Sequence, residues 1–314
     1  MNSKNKSNNL SKFVLILSLT ITAFFSCTGN ALAKDPFRKE NERDIGEHTG
    51  KAFETVFLEG DYKTVTELLA LAEAEEKTEP LAYAMQASLA YTEEDWDNIK
   101  KYALKTLEAA QITSYKDPLR GNLYLAVGHF LDGAYIYEKE GPIKAIKKLQ
   151  LVFKHFDAAE DIDPNDPEFN LIKGYVDLLL AVNLPFSSPE QAIARFETYA
   201  APEYLVERGL AVAYRDLKQY DKALKYANKA IEEAPDNGEH YYLKGQILRK
   251  LGNAKKDVDA LEDALDNFEE ALDRSEKLPV FVLKTLRRET RFAKKEIRQL
   301  ESETARKNVQ KFNY

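Results

Sequence analysis

Apolar and small residues between Tyr204 and Pro235 fall into two helical registers with a break near Lys218–Gln219. The first register carries Leu210, Ala211 and Tyr214; the second carries Ala223, Ala227 and Ala230, and Pro235 ends it. Spacings of three and four put each set on one face of a helix. Small residues at such fixed places predict a close helix–helix approach. Sliding the frame by 34 residues repeats the pattern. From Gly238, Tyr241 and Gly245 lead to a turn expected at Gly252–Asn253. A second helix then carries Leu261, Ala264, Phe268 and Ala271, seven residues late, which predicts an insertion near 254–260. A frame from Gly46 has Gly60, Asp61 and Tyr62 at its turn, then Val65, Leu69 and Ala72. The next, from Pro80, has Tyr83, Ala87, Trp96, Ile99 and Ala103, with Trp96 expected in the seam.

The middle, 114–203, keeps the period less strictly. A long helix is expected up to Gly141–Pro142, then a partner with Leu149, Val152, Phe156 and Ala159, ended by the Asp-Pro-rich residues 163–167. A further pair holds Gly174, Ala192 and Phe196, with Ser188 as N-cap and Pro189 at the first helical position. Beyond Pro279, Leu283, Leu286, Thr290, Ala293, Ile297 and Leu300 form one narrow stripe on a long charged helix. No long segment alternates with period two, so the expected class is all-α.

The repeating unit resembles the tetratricopeptide repeat, a helix-turn-helix of 34 residues. Leu210, Ala211, Tyr214, Tyr220, Ala223, Ala230 and Pro235 match its pattern, and Glu207 departs where a large aromatic is usual. The resemblance is to an exported bacterial or cyanobacterial type. It implies a right-handed α-solenoid of stacked hairpins with a C-terminal capping helix, because a lone hairpin cannot bury its apolar face. The expected divisions are a leader 1–33, a linker 34–45, two repeats over 46–113, two degenerate longer hairpins over 114–203, two repeats over 204–279, and a cap with a basic tail over 280–314.

The resemblance also implies a concave groove lined by the first helix of each unit. Its register places Glu47, Glu54, Phe57, Leu81, Ser88 and Tyr91 there, then Leu205, Arg208, Val212 and Arg215, and Glu239, Tyr242, Gln246 and Arg249. Arg208, Arg215, Tyr242, Gln246 and Arg249 are the candidate peptide-binding residues, since guanidinium groups pair bidentately with carboxylates. The alternative is a solvated helix face with no ligand. The paired Lys and Asn of the family's chaperone-tail binders are absent. The partner class implied is a protein or peptide, held during assembly of an extracytoplasmic complex.

Charge and the N-terminus refine this picture. Lys4, Lys6 and Lys12 precede an apolar run, 13–25, followed by Ala31-Leu32-Ala33. That is a signal-peptide pattern, with cleavage expected after Ala33 and a soluble protein in a periplasm or equivalent lumen. Cys27, the one cysteine, offers an alternative as a lipid-anchored assembly lipoprotein, the only route by which membrane contact is expected. Residues 277–314 hold eleven Lys/Arg against four Glu. Taking that +7 and the three leader lysines from the net −7 leaves −17 on residues 34–276. So acidic a body argues against nucleic-acid binding. A monomer is expected, with dimerisation through the 280–308 helix as the alternative.

Candidate chemistry is sparse. Without Cys27 no Cys–His site is possible, and His48, His129, His155 and His240 are too scattered in sequence to predict a metal site. Residues 161–168, rich in Asp, lack the Gly and bidentate Glu of a calcium loop and read as an inter-helix connection. No glycine-rich phosphate loop occurs. No cofactor, metal or catalytic residue is expected; a paired-carboxylate hydrolase is the third reading.

Overall fold

The computed structural model describes residues 35–183 and 189–312. The leader, with Cys27 and the expected cleavage site, and the expected cap Ser188 lie outside the described residues.

Among those residues there are thirteen helices and no strand. They are α1 (Glu47–Phe57), α2 (Tyr62–Glu75), α3 (Pro80–Thr92), α4 (Trp96–Thr113), α5 (Pro118–Glu140), α6 (Pro142–Glu160), α7 (Pro167–Asn183), α8 (Pro189–Thr198), α9 (Glu203–Asp216), α10 (Tyr220–Glu233), α11 (Gly238–Lys255), α12 (Val258–Asp273) and α13 (Val280–Phe312). Consecutive helices pair as six hairpins, α1–α2 to α11–α12, and α13 packs on α12. Local signals set the starts. Asp61, Asp95, Asp117, Asn237 and Asp257 accept first-turn backbone N–H groups as N-caps, and α3, α5 and α6 carry proline in the first turn.

The small-residue seam is where the spacing puts it. Ala223, Ala227 and Ala230 are buried, as are Ala264, Phe268 and Ala271. The Phe196 ring lies between Gly174 and Gly209; a Cβ on either glycine would sit 2.7 Å from that ring. These two positions let α7 and α9 close on one aromatic.

Three expectations change. The helix does not turn at Gly252–Asn253 but continues to Lys255, with the left-handed Lys256 at its end. The inserted residues lengthen both helices of the hairpin, and Gly252 serves close packing, since a Cβ there would meet Leu261 at 2.8 Å. Trp96 is half-buried at the start of α4, edge-on to exposed Tyr91 at 5.9 Å; Ile99, Ala103 and Ala110 fill the seam instead. The segment expected as a linker is a strap, with Asp35, Phe37 and Ile45 buried.

The stack curves until its ends touch. Asn237 Nδ2 donates to the Phe57 carbonyl at 2.8 Å, and the Tyr62 N–H to the Lys277 carbonyl at 3.0 Å. The turn between α1 and α2 is thus seated on the α11–α12 hairpin. The stripe of α13 is covered by its own chain, with Leu286, Thr290, Ala293 and Ile297 buried. A dimer using that stripe would first have to uncover it.

Candidate binding site on the concave surface

Five first helices, α1, α3, α5, α7 and α9, surround a cavity of about 400 Å³. Its wall includes Phe57, Met85, Val127, Phe130, Ile172 and Val176. Helical periodicity explains the lining: each first helix buries one face against its hairpin partner and turns another inward. Of the residues the repeat register placed in the groove, Phe57, Leu81, Ser88, Leu205 and Arg208 line this cavity. Tyr91 instead faces solvent. The strap brings Phe37 to the wall, edge-on to Phe53 with ring centroids 5.0 Å apart.

One edge of the cavity is polar. Arg208 is surrounded by protein yet a third of its side chain stays accessible from the cavity side. Its Nη2 lies 3.5 Å from Glu239 Oε2, and Tyr62 donates to Glu239 Oε1 at 3.0 Å. Tyr175 donates to the Leu205 carbonyl at 2.7 Å. The Nε of Arg208 is buried without a hydrogen-bond partner. Burial, reinforced by Glu239, pushes the Tyr62 phenol well up, and burial likewise raises Tyr175, so both stay neutral donors. His240 is buried behind this edge with neither ring nitrogen hydrogen-bonded. Burial first, then the charge of Arg208, lowers its pKa to about 4.

The five candidate residues do not form one site. Arg208 faces the cavity. Arg215 holds Asp216 at 2.9 Å and donates to Gln246 at 2.9 Å. Arg249 makes a two-pronged pair with Glu296 and a second pair with Glu289, both from α13. Tyr242 packs on Phe268, with centroids 6.0 Å apart. The cap therefore supplies the carboxylates expected from a ligand, and the expected single cluster is divided between the cavity and the α11–α13 contact.

A second set of buried charges escaped the sequence reading. Arg120 pairs with Glu79 through two bonds of 2.8 Å and with Glu168 at 3.0 Å. Tyr124 donates to Glu168 at 2.7 Å. From the strap, Arg43 meets Asp117, Asp166 and Glu168 at 2.8, 2.9 and 2.8 Å, and Arg38 also pairs with Asp166. All four carboxylates stand at the starts of α3, α5 and α7, where aligned peptide dipoles favour negative charge. Burial pushes Glu79 up against the pull of Arg120, while Glu168 and Glu79 outweigh burial and keep Arg120 cationic. The network ties the strap across three hairpins. The Asp-rich segment around 166 is thus more than a connection, though no local pattern announces partners 125 or 128 residues away.

His129 and His155, distant in sequence, stack at 5.6 Å, and His155 Nδ1 lies 3.0 Å from the Asn122 side-chain oxygen. Among the described residues no three metal-ligating side chains converge, and no helix is long and apolar enough to cross a membrane.

A search of the curated proteins finds no match. Residues 203–277, the hairpins α9–α10 and α11–α12, match the family model described as tetratricopeptide repeat, a unit that generally mediates protein–protein interaction without catalysis.

Proposed function

We propose that the chain is a non-catalytic interaction scaffold whose concave cavity holds a peptide segment of a partner protein, its apolar side chains against α1, α3, α5 and α7 and an acidic group or C-terminus at Arg208. The observation that carries this reading is an apolar cavity of about 400 Å³ with one guanidinium at its edge. That volume lies in the range of about 300–1,000 Å³ typical of ligand sites, enough for a few side chains. Buried carboxylates elsewhere are held by arginines, which supports a scaffold over a hydrolase. Of the candidate residues, Arg208 has the direct role; Arg249 would serve a ligand only after the α13 carboxylates withdraw, and Arg215 with Gln246 only after their contacts with Asp216 and each other open. The leader pattern supports a setting in an extracytoplasmic complex, with an acylated Cys27 as the second form.

Selection of peptides from a random display library against the chain tests this. The expected winners combine two or more large apolar residues with an acidic or free C-terminal end, and lose at least about tenfold in affinity against Arg208→Ala, as for a charge-assisted bond of about 1.5–3 kcal/mol. Winners that are basic, or indifferent to Arg208→Ala, would overturn the reading.

A further inference from the structure

We propose that the outer face of α13 is an attachment surface for an anionic phospholipid bilayer. The helix has two sharply different sides. Leu286, Thr290, Ala293 and Ile297 face inward and are buried. At helical periodicity the opposite side carries Arg288, Arg291, Lys295 and Arg298, with Phe292 on its flank, all exposed, and Phe281 two turns before Arg288. Phe281 is 51% and Phe292 44% exposed, and the Arg249 guanidinium lies over the other part of the Phe292 ring, 5.3 Å from its centroid.

What makes this face unusual is where the acids went. Glu289 and Glu296 are turned onto Arg249, so the internal pairing removes negative charge from the cationic side. Arg288, Arg291, Lys295 and Arg298 have no ion pair among the described residues. Lys284 and Phe281 are less useful, because both line a cleft that also holds Glu93, Glu94 and Glu276. Four unpaired cations around exposed phenylalanine fit the headgroup region of an anionic membrane, where cations meet lipid phosphates and aromatic rings sit at the acyl boundary. A duplex backbone would reward the cations and leave the phenylalanines in water.

The acidic remainder does not forbid this contact. A helix about 10–12 Å across holds the body beyond the screening length of about 8 Å at physiological salt. The charge asymmetry orients the molecule with α13 toward the surface. This departs from the expectation that membrane contact would need an acylated Cys27.

Co-sedimentation of the chain without its leader, with vesicles of mixed phosphatidylglycerol and phosphatidylcholine or of phosphatidylcholine alone, tests the proposal. Binding is expected to the anionic vesicles only and to weaken with salt. Arg288→Glu, Arg291→Glu and Lys295→Glu together should lower it by about a hundredfold or more with an unchanged melting curve. If the reversals unfold the chain, the same three positions changed to Gln should still lower binding by over tenfold. Phe292→Ser alone should cost several-fold. Equal binding to both vesicle types, no binding, or binding unaffected by the folded variants would overturn the proposal. Tighter binding to a single-stranded oligonucleotide than to anionic vesicles would overturn it in favour of nucleic acid.

Discussion

The first four hairpins and the last two are held together by different means. In α9–α12 the seam is made of small and apolar residues, Ala223, Ala227, Ala230, Ala264 and Ala271, and buried ions are few. In α1–α8 the starts of α3, α5 and α7 are joined by Arg120, Arg43 and Arg38 with four carboxylates. The inner surfaces differ in the opposite sense. The early first helices present an apolar wall around open space, while α11 presents Arg249 and Tyr242, which α13 and α12 engage. Where the groove is polar the chain satisfies itself, and where it is apolar it leaves room. That contrast is what favours the apolar side in the proposed binding of a partner segment.

The sharpest way to break it is Arg120→Ala. The change leaves Glu79 and Glu168 buried without their main partner, and should cost about 3–5 kcal/mol in urea unfolding. A loss below about 1 kcal/mol would mean the charges are dispensable to the early hairpins.

His240 probes the junction between the halves, with Arg208 the charged group facing it from α9. Its folded pKa of about 4 lies below an unfolded value near 6.5. Below about pH 6.5 the unfolded chain takes a proton that the folded chain refuses. Stability attributable to this site is therefore intact above that pH and falls toward pH 4, by about 3 kcal/mol in all. The difference between the stability–pH curves of the wild type and His240→Leu should show this slope; parallel curves would contradict it.

Ala230→Leu should overpack the later seam by about 1–3 kcal/mol, and a neutral outcome would show slack between α10 and its neighbours. Trp96→Ala, at a half-buried position, should cost only about 1–2 kcal/mol. A loss of 3 kcal/mol or more would return Trp96 to the seam that its repeat position suggests.

How far the sequence could be read follows from the range of each interaction. Seam alanines recur at three and four because one helix face repeats locally, so the hairpins at 204–279 and the helix at 280–312 were legible. Gly252 was misread because a glycine that admits Leu261 looks like one that makes a turn. The strap was missed because Arg43 and Glu168 lie 125 residues apart. The groove register found Arg208, Leu81 and Ser88, yet it could not show that Arg249 already has Glu289 and Glu296 as partners.

If the apolar cavity is the binding surface, filling it blocks binding directly. Ser88 lines the cavity and is exposed toward it, so Ser88→Trp occupies space without disturbing the seam. A fluorescence-polarisation titration of a library-selected peptide would compare the wild type, Ser88→Trp and Arg249→Ala, each with a melting curve. A loss of more than about tenfold is expected for Ser88→Trp, roughly 1.4 kcal/mol, and little change for Arg249→Ala. Unchanged affinity for Ser88→Trp with a large loss for Arg249→Ala would contradict this and put the peptide at the α11–α13 contact.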